Sequence, residues 1–421
     1  MRAPGLVQGR GMRQRAVAVA VAALLVAGLV GVAVVGPEDR LPAGHRVTAL
    51  RRGSPAAAGT SSTTGGSSTT APVATAPPSP AVDQLVARLE RYVEQQRGLR
   101  FKQPVKVTLL DDAAFQKRSA DAAKLDKADA DRIGKVLRAL HMLAPGVDYA
   151  QAYQSLYTAA VIGAYDPKAK ELFLRGADTD RQEVREVLVH ELTHAVQDQN
   201  FGISRPKLDK KEDDSALGFL TMVEGDAVRI QQRFHQSLSK DDQRRVDAYM
   251  AAQSSSATAG VPQFLVESLS FPYVVGPAFT TRLVQVGGQA RLDEAFRHPP
   301  TTTAQLLHPD LFLAGEGPRP VARPDAGGPV IDHNVIGELG LLLLLEGSDS
   351  SVAVVRAAAG WGGDQYVAWD AAGGTACVRA DIVMDTGRDA DDLLAALGRW
   401  AEGKSGVTIA GRSPIVLTSC G

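Results

Sequence analysis

Net charge is nearly absent from this chain. Across 421 residues, 46 Lys and Arg oppose 47 Asp and Glu, and no basic stripe interleaved with aromatics appears. That argues against a nucleic-acid partner. Aromatic residues make up only 5%, with Ala, Gly and Val plentiful instead, and no substrate class follows from this. There is no internal repeat, no heptad seam and no legible Ser/His/Asp constellation. The Gly-rich "GWGGD" at 360–364 lacks the spacing and strand-to-helix context of a phosphate loop and reads as a tight turn into a strand. Cysteine is almost missing: the two present, Cys377 and Cys420, both lie in the last segment. In an exported protein such a pair most simply forms one disulfide, worth roughly 3–5 kcal/mol in the chain-entropy account. Two unrelated buried thiols are the alternative.

One long apolar run is present. Arg2, Arg10, Arg13 and Arg15 precede Ala16 to Val35, 20 residues without a charge. That length matches a helix crossing a bilayer, and signal peptides usually have a shorter core, then a small-residue cleavage site. No convincing cleavage site and no lipobox cysteine follow, so the run reads as an uncleaved signal anchor. Cleavage would instead give a secreted protein. Arginines flank both ends, but the short N-terminal tail and large C-terminal part set the default orientation, with the C-terminal domain outside the cytoplasm. Residues 53–80 are uncharged Ser, Thr, Gly, Ala and Pro, a flexible tether spanning roughly 30 Å as a coil. The expected plan is a tail (1–15), a transmembrane anchor (16–36), a tether (37–80), a main domain (81–350) and a C-terminal ββα extension (351–421).

The main domain reads as α+β and mostly helical. "AVDQLVARLERYVEQQRGL" has Val82, Leu85, Val86, Leu89 and Val93 at helical spacing, and "VKVTLL" alternates like a strand. Apolar runs on either side of Asp166, Pro167 and Lys168 read as a hairpin. The helix around "DSALGFLTMVEGDAVRIQQRFHQSL" has a stripe of Ala216, Phe219, Leu220, Val223, Ala227, Ile230 and Phe234. "VIGELGLLLLLEG" is apolar nearly all round but too short to span a membrane, so it reads as a buried core helix.

Between hairpin and striped helix stands "VLVHELTHAVQDQ". Residues four apart on a helix differ by only about 40° around its axis, so His190 and His194 can reach one metal ion. Glu191 sits where it could act as general base, the H-E-x-x-H arrangement. The helix stripe, Val184, Leu188, Leu192 and Ala195, lies roughly opposite the histidines. A catalytic zinc takes three protein ligands and keeps an open position. Glu224 borders the apolar stripe of the next long helix and has no cation on its own helix, a cost that metal coordination relieves. Asp226 has Arg229 three residues on, so it reads as structural or as orienting a ligating histidine. Asp198, one turn after His194, has drifted too far round for easy ligation. One Zn2+ per chain, held by His190, His194 and Glu224, is expected.

"HELTHAVQDQ" followed by "EGDA" resembles a group of secreted or membrane-anchored bacterial proteins with gluzincin-type zinc peptidase motifs, largely uncharacterised. Downstream stretches such as "FPYVVGPAFTTRLVQVGGQARLDEAFRHPPTTTAQLLHPD" and "GWGGDQYVAW" extend the likeness over roughly residues 85–400. The resemblance implies a zincin-like fold, the same three ligands and Glu191 as base; it implies no substrate. A peptidase also needs a donor to the oxyanion. Tyr165, His298 and His308 are candidates, with His308 first. The strand "ELFLR" (171–175) is expected at a sheet edge, where it could pair with an extended peptide. The expected function is an outward-facing, membrane-anchored zinc metallopeptidase acting on a peptide or protein. Alternatives are a non-catalytic zinc-containing binding or scaffolding module, or a zinc amidase acting on cell-wall peptides.

Overall fold

The computed structural model describes residues 80–159, 162–176, 178–346 and 352–421. The anchor and tether segments lie outside the described residues, and no described helix is long and apolar enough to cross a membrane. The chain begins with α1 (Pro80–Arg97), β1 (Lys106–Leu110), α2 (Asp112–Ala123), α3 (Lys127–Ala139) and α4 (Tyr149–Ala159). The hairpin β2 (Gly163–Asp166) and β3 (Glu171–Arg175) leads into α5 (Gln182–Phe201). Next come α6 (Ser215–Ser237), α7 (Lys240–Thr258), α8 (Gln263–Arg297), α9 (Thr303–Leu307) and α10 (Pro309–Ala314). The last part holds β4 (Val330–Asn334), α11 (Gly337–Glu346), α12 (Val352–Ala359), β5 (Trp361–Asp370), β6 (Ala376–Met384), α13 (Gly387–Ala401), β7 (Val407–Ala410) and β8 (Ile415–Cys420). The protein is mixed α+β and mostly helical, with one small sheet in each half.

The first sheet has the order β1-β3-β2. This corrects the expectation for "ELFLR": β3 is the central strand, parallel to β1 and antiparallel to β2. Three consecutive buried side chains, Leu172, Phe173 and Leu174, explain it. A strand apolar on both faces belongs inside a sheet. The edge nearest the site is β2. Arg175 donates to the carbonyl of Ile162, so alternation turns the backbone groups of Gly163 and Tyr165 away from β3.

Helix α6 packs on α8 with backbones almost touching. A Cβ on Gly225 would lie 2.2 Å from the Gly276 carbonyl carbon, and one on Gly276 would lie 2.3 Å from the Thr221 carbonyl oxygen. Only glycine at both positions permits this approach. Helix α8 carries Pro272 and Pro277 inside it and breaks at Gly287 and Gly288.

The C-terminal unit is larger than a ββα addition. Its five strands run β4-β5-β6-β8-β7, all antiparallel, and β4 joins from before residue 351. In "GWGGD" the turn is Gly360 alone, and Trp361 to Asp364 already open β5, with a register shift between Trp361 and Gly363. Helix α11 serves two cores. Leu339 and Leu343 join the main one, while Leu341, Leu344 and Leu345 pack with the C-terminal sheet and α13, which is why the segment is apolar all round. Cys377 and Cys420 face each other on β6 and β8 and are disulfide-bonded.

Two carboxylates lie near each other, one held by α9 and one by the start of α11 and β5. Asp214, before α6, accepts from the Thr303 backbone at 2.9 Å and hydroxyl at 2.8 Å. Asp364 accepts from the backbone of Ile336 and Gly337 and from the Trp361 indole. Burial raises both, against the pull of these donors: Asp214 to about 7, helped by its neighbours Asp364 and Asp213, and Asp364 to about 6. Both therefore keep protons in the folded chain after the unfolded chain has lost them. Their contribution to stability is full below about pH 4 and fades as pH rises through 7. Asp214→Asn should flatten that decline. Urea denaturation at acid and neutral pH should show the variant gaining on the natural protein as pH rises.

Candidate metal centre

Helix α5 is buried on every side from Glu186 to Asp198. The histidines do lie away from the apolar stripe, but α6 and α8 cover them. His190, His194 and Glu224 are each 1% exposed, and Glu191 is 3%. Their donor atoms converge. His190 Nε2 and His194 Nε2 are 3.0 Å apart, and Glu224 Oε2 lies 3.2 Å and 3.3 Å from them. An ion bound about 2.0–2.1 Å from each ligand in tetrahedral geometry would space them about 3.3 Å apart. Among the described residues, these three form the one group of His, Cys, Asp or Glu able to hold a metal ion.

The hydrogen bonds behind the rings fix what the ligand atoms present. His194 Nδ1 contacts Gln197 Oε1 at 3.0 Å, while Gln197 Nε2 donates to the Val223 carbonyl and to Asp226, both at 3.1 Å. His190 Nδ1 contacts Gln231 Oε1 at 3.0 Å, and Gln231 lies close enough to Glu186 to draw its pKa down against the effect of burial. At Gln197 the amide nitrogen is committed to two acceptors, so the amide oxygen faces the ring and Nδ1 carries the proton; Gln231 presents its oxygen to His190 in the same way. Both Nε2 lone pairs then point at the same spot as Glu224. One proton there can satisfy only part of this set, whereas a divalent cation satisfies all of it. Such a proton would be firmly held. Burial disfavours the charged His194, but Glu224 outweighs this and pushes the imidazole up to about 9.

Glu191 is fixed from the sheet. Its Oε2 accepts from the Tyr165 backbone N–H at 2.7 Å, from the outer edge of β2. Burial raises its pKa, opposed by the neighbouring histidines. Asp198 ligates nothing: it accepts from the Tyr165 hydroxyl at 2.8 Å, Lys170 at 2.5 Å and the Ile203 backbone at 3.1 Å, anchoring β2 over the site. Asp226 takes Arg229 at 2.7 Å and also Arg97 of α1 at 2.5 Å.

The three expected oxyanion donors are not brought to the ligands. The Tyr165 hydroxyl is spent on Asp198. His298, 77% exposed, pairs with Glu294 one turn before it. His308 links α9 to α10, and its ring reaches Glu338 in the first turn of α11 at 2.8 Å. Burial alone would lower its pKa, but Glu338 raises it. The structure offers Tyr273 instead. Its ring stacks on His190 with centroids 6.3 Å apart, and it is 2% exposed. Its hydroxyl lies beside Glu224 without a hydrogen bond of full geometry among the described residues. Burial, then Glu224 and Glu191, push its pKa far up. Tyr157 of α4 is also fully buried, and burial, then the charges of Tyr153, Glu224 and Glu191, push its pKa up.

A family model described as a domain of unknown function (DUF8575) matches residues 328–416. That stretch covers most of the C-terminal sheet with α11 to α13 and contains none of the metal-centre residues. No curated protein and no solved structure matches the chain.

Proposed function

We propose that this chain is a zinc metallopeptidase with a zincin-like helical domain, in which His190, His194 and Glu224 hold one zinc ion. The convergence of two Nε2 lone pairs and a carboxylate at 3.0–3.3 Å carries the reading. The bound ion would supply Lewis acidity, lowering the pKa of a water and polarising a carbonyl. Glu191 is the base. With Oε2 fixed by the Tyr165 N–H, Oε1 is the atom left to take a proton from water and return it to the leaving amine. The Tyr273 hydroxyl is the donor available to the developing oxyanion. The proposed setting is the outer face of a membrane, with the domain held by the apolar segment 16–35.

One observation favours a second reading, a non-catalytic module with a structural ion. Every ligand is at most 1% exposed, so a substrate reaches the centre only if the covering elements move. The first test is metal content. The purified protein should hold about one zinc per chain, with affinity falling on the order of a hundredfold or more in His194→Ala. A protein without bound metal would sink both readings. Stoichiometric zinc with no cleavage across unbiased peptide libraries would leave the second.

A further inference from the structure

Each candidate ligand histidine is backed by a glutamine, and each glutamine by a buried acid. On one side the chain runs His194, Gln197, Asp226, and Asp226 is held by Arg97 and Arg229. On the other it runs His190, Gln231, Glu186, and Glu186 is held by His235 at 2.7 Å. Gln197 is fully buried and Gln231 nearly so. Two glutamines on different helices therefore do the same thing to two rings. A histidine that binds metal usually gives its second N–H directly to a carboxylate, a carbonyl or water. Here a neutral amide stands between ring and acid. It passes on direction without passing on charge: the acid fixes the –NH2 end, which leaves the carbonyl end as the only acceptor for the ring.

We propose that Gln197 and Gln231 are positioning residues that lock both imidazoles as Nδ1–H tautomers and keep Nε2 free for the metal, with Asp226 and Glu186 setting the direction of each amide. This rests on the metal reading above. The acids stay one amide away from the rings, so neither can take the Nδ1 proton or add its full charge to the ligand.

The decisive readout is metal affinity, measured with zinc and with cobalt by chelator competition on the full chain. Gln197→Met and Gln231→Met keep the shape and remove the acceptor. Each should weaken binding ~10–100-fold and change the visible spectrum of the cobalt form, with cooperative melting of the metal-free protein retained. The exchanged pair Glu186→Gln with Gln231→Glu keeps one acid and one amide and restores an acceptor at His190. It should return affinity to within about threefold of the natural protein, or tighter. A Gln that merely fills space predicts otherwise, because the methionine variants would then bind normally. Methionine variants within about twofold of the natural affinity would overturn the proposal, as would a folded exchanged pair that binds no better than Gln231→Met. A natural protein that binds neither metal would overturn the metal reading itself, a distinct result.

Discussion

Glu191→Gln should lower peptide cleavage by ~10²–10⁴-fold while zinc content stays near one per chain. Glutamine keeps the shape of the side chain, and its Oε1 can still accept the Tyr165 N–H that now holds the carboxylate. What it loses is the ability to take a proton. None of the three ligands changes, so metal affinity should hold. Because Glu191 is buried and a neutral amide costs less to bury than a carboxylate, the fold should be at least as stable. Loss of cleavage with zinc and melting temperature preserved marks a chemical role. Initial rates on a peptide library, with metal analysis of the same samples, measure it. Retained cleavage with zinc bound would remove Glu191 from the mechanism.

The largest effect on stability is expected at the α6–α8 crossing. Gly276→Val should cost about 3 kcal/mol or more, at the upper end of overpacking penalties. The first new carbon would meet the Thr221 carbonyl oxygen at 2.3 Å and the Gly225 Cα at 2.7 Å. Both are backbone atoms within helices, and neither can swing aside as a flexible side chain would. The helices must separate, and α8 then carries Tyr273 off His190. Urea denaturation should show the loss, and zinc affinity should fall with it. Gly398→Ala is the control. That glycine sits in α13 with open space where its Cβ would go, so alanine should stabilise by roughly 0.5–1 kcal/mol through backbone entropy alone. A folded Gly276→Val with unchanged stability would mean the two helices do not pack this closely.

The parts of the site legible in the sequence are those that follow from helical geometry and local pairing. His190 and His194 fall side by side because one turn of helix puts them there. Glu224 stood out because its own helix offers it no cation, and Asp226 because Arg229 sits three residues on. Legibility ends where the partner comes from elsewhere. A helical glutamine reads as solvated, so Gln197 and Gln231 carried no signal until helix packing buried them. Tyr273 carries no local signal in the sequence: Gly225 in "EGDA" and Gly276, three residues after Tyr273, are what bring that helix close. His308 was attractive as a histidine before a proline, yet its direction is set by Glu338 of α11. Strand order was legible in part. The three apolar residues in a row, Leu172 to Leu174, fit a central strand, but the edge placement expected for "ELFLR" overrides that signal, and β7 and β8, with only four and six residues, give too little alternation to stand out.

Arg97 has a consequence for when the centre can fill. It closes α1, the first helix described, and its partners Asp226 and Asp293 lie 129 and 196 residues downstream. A ribosome must release nearly the whole helical half before that guanidinium meets both acids and the backing of His194 is complete. An ion at the proposed centre would therefore find the backing of His194 complete only once the chain is made and folded as far as Asp293, and the compartment where that happens would decide which metal is on offer.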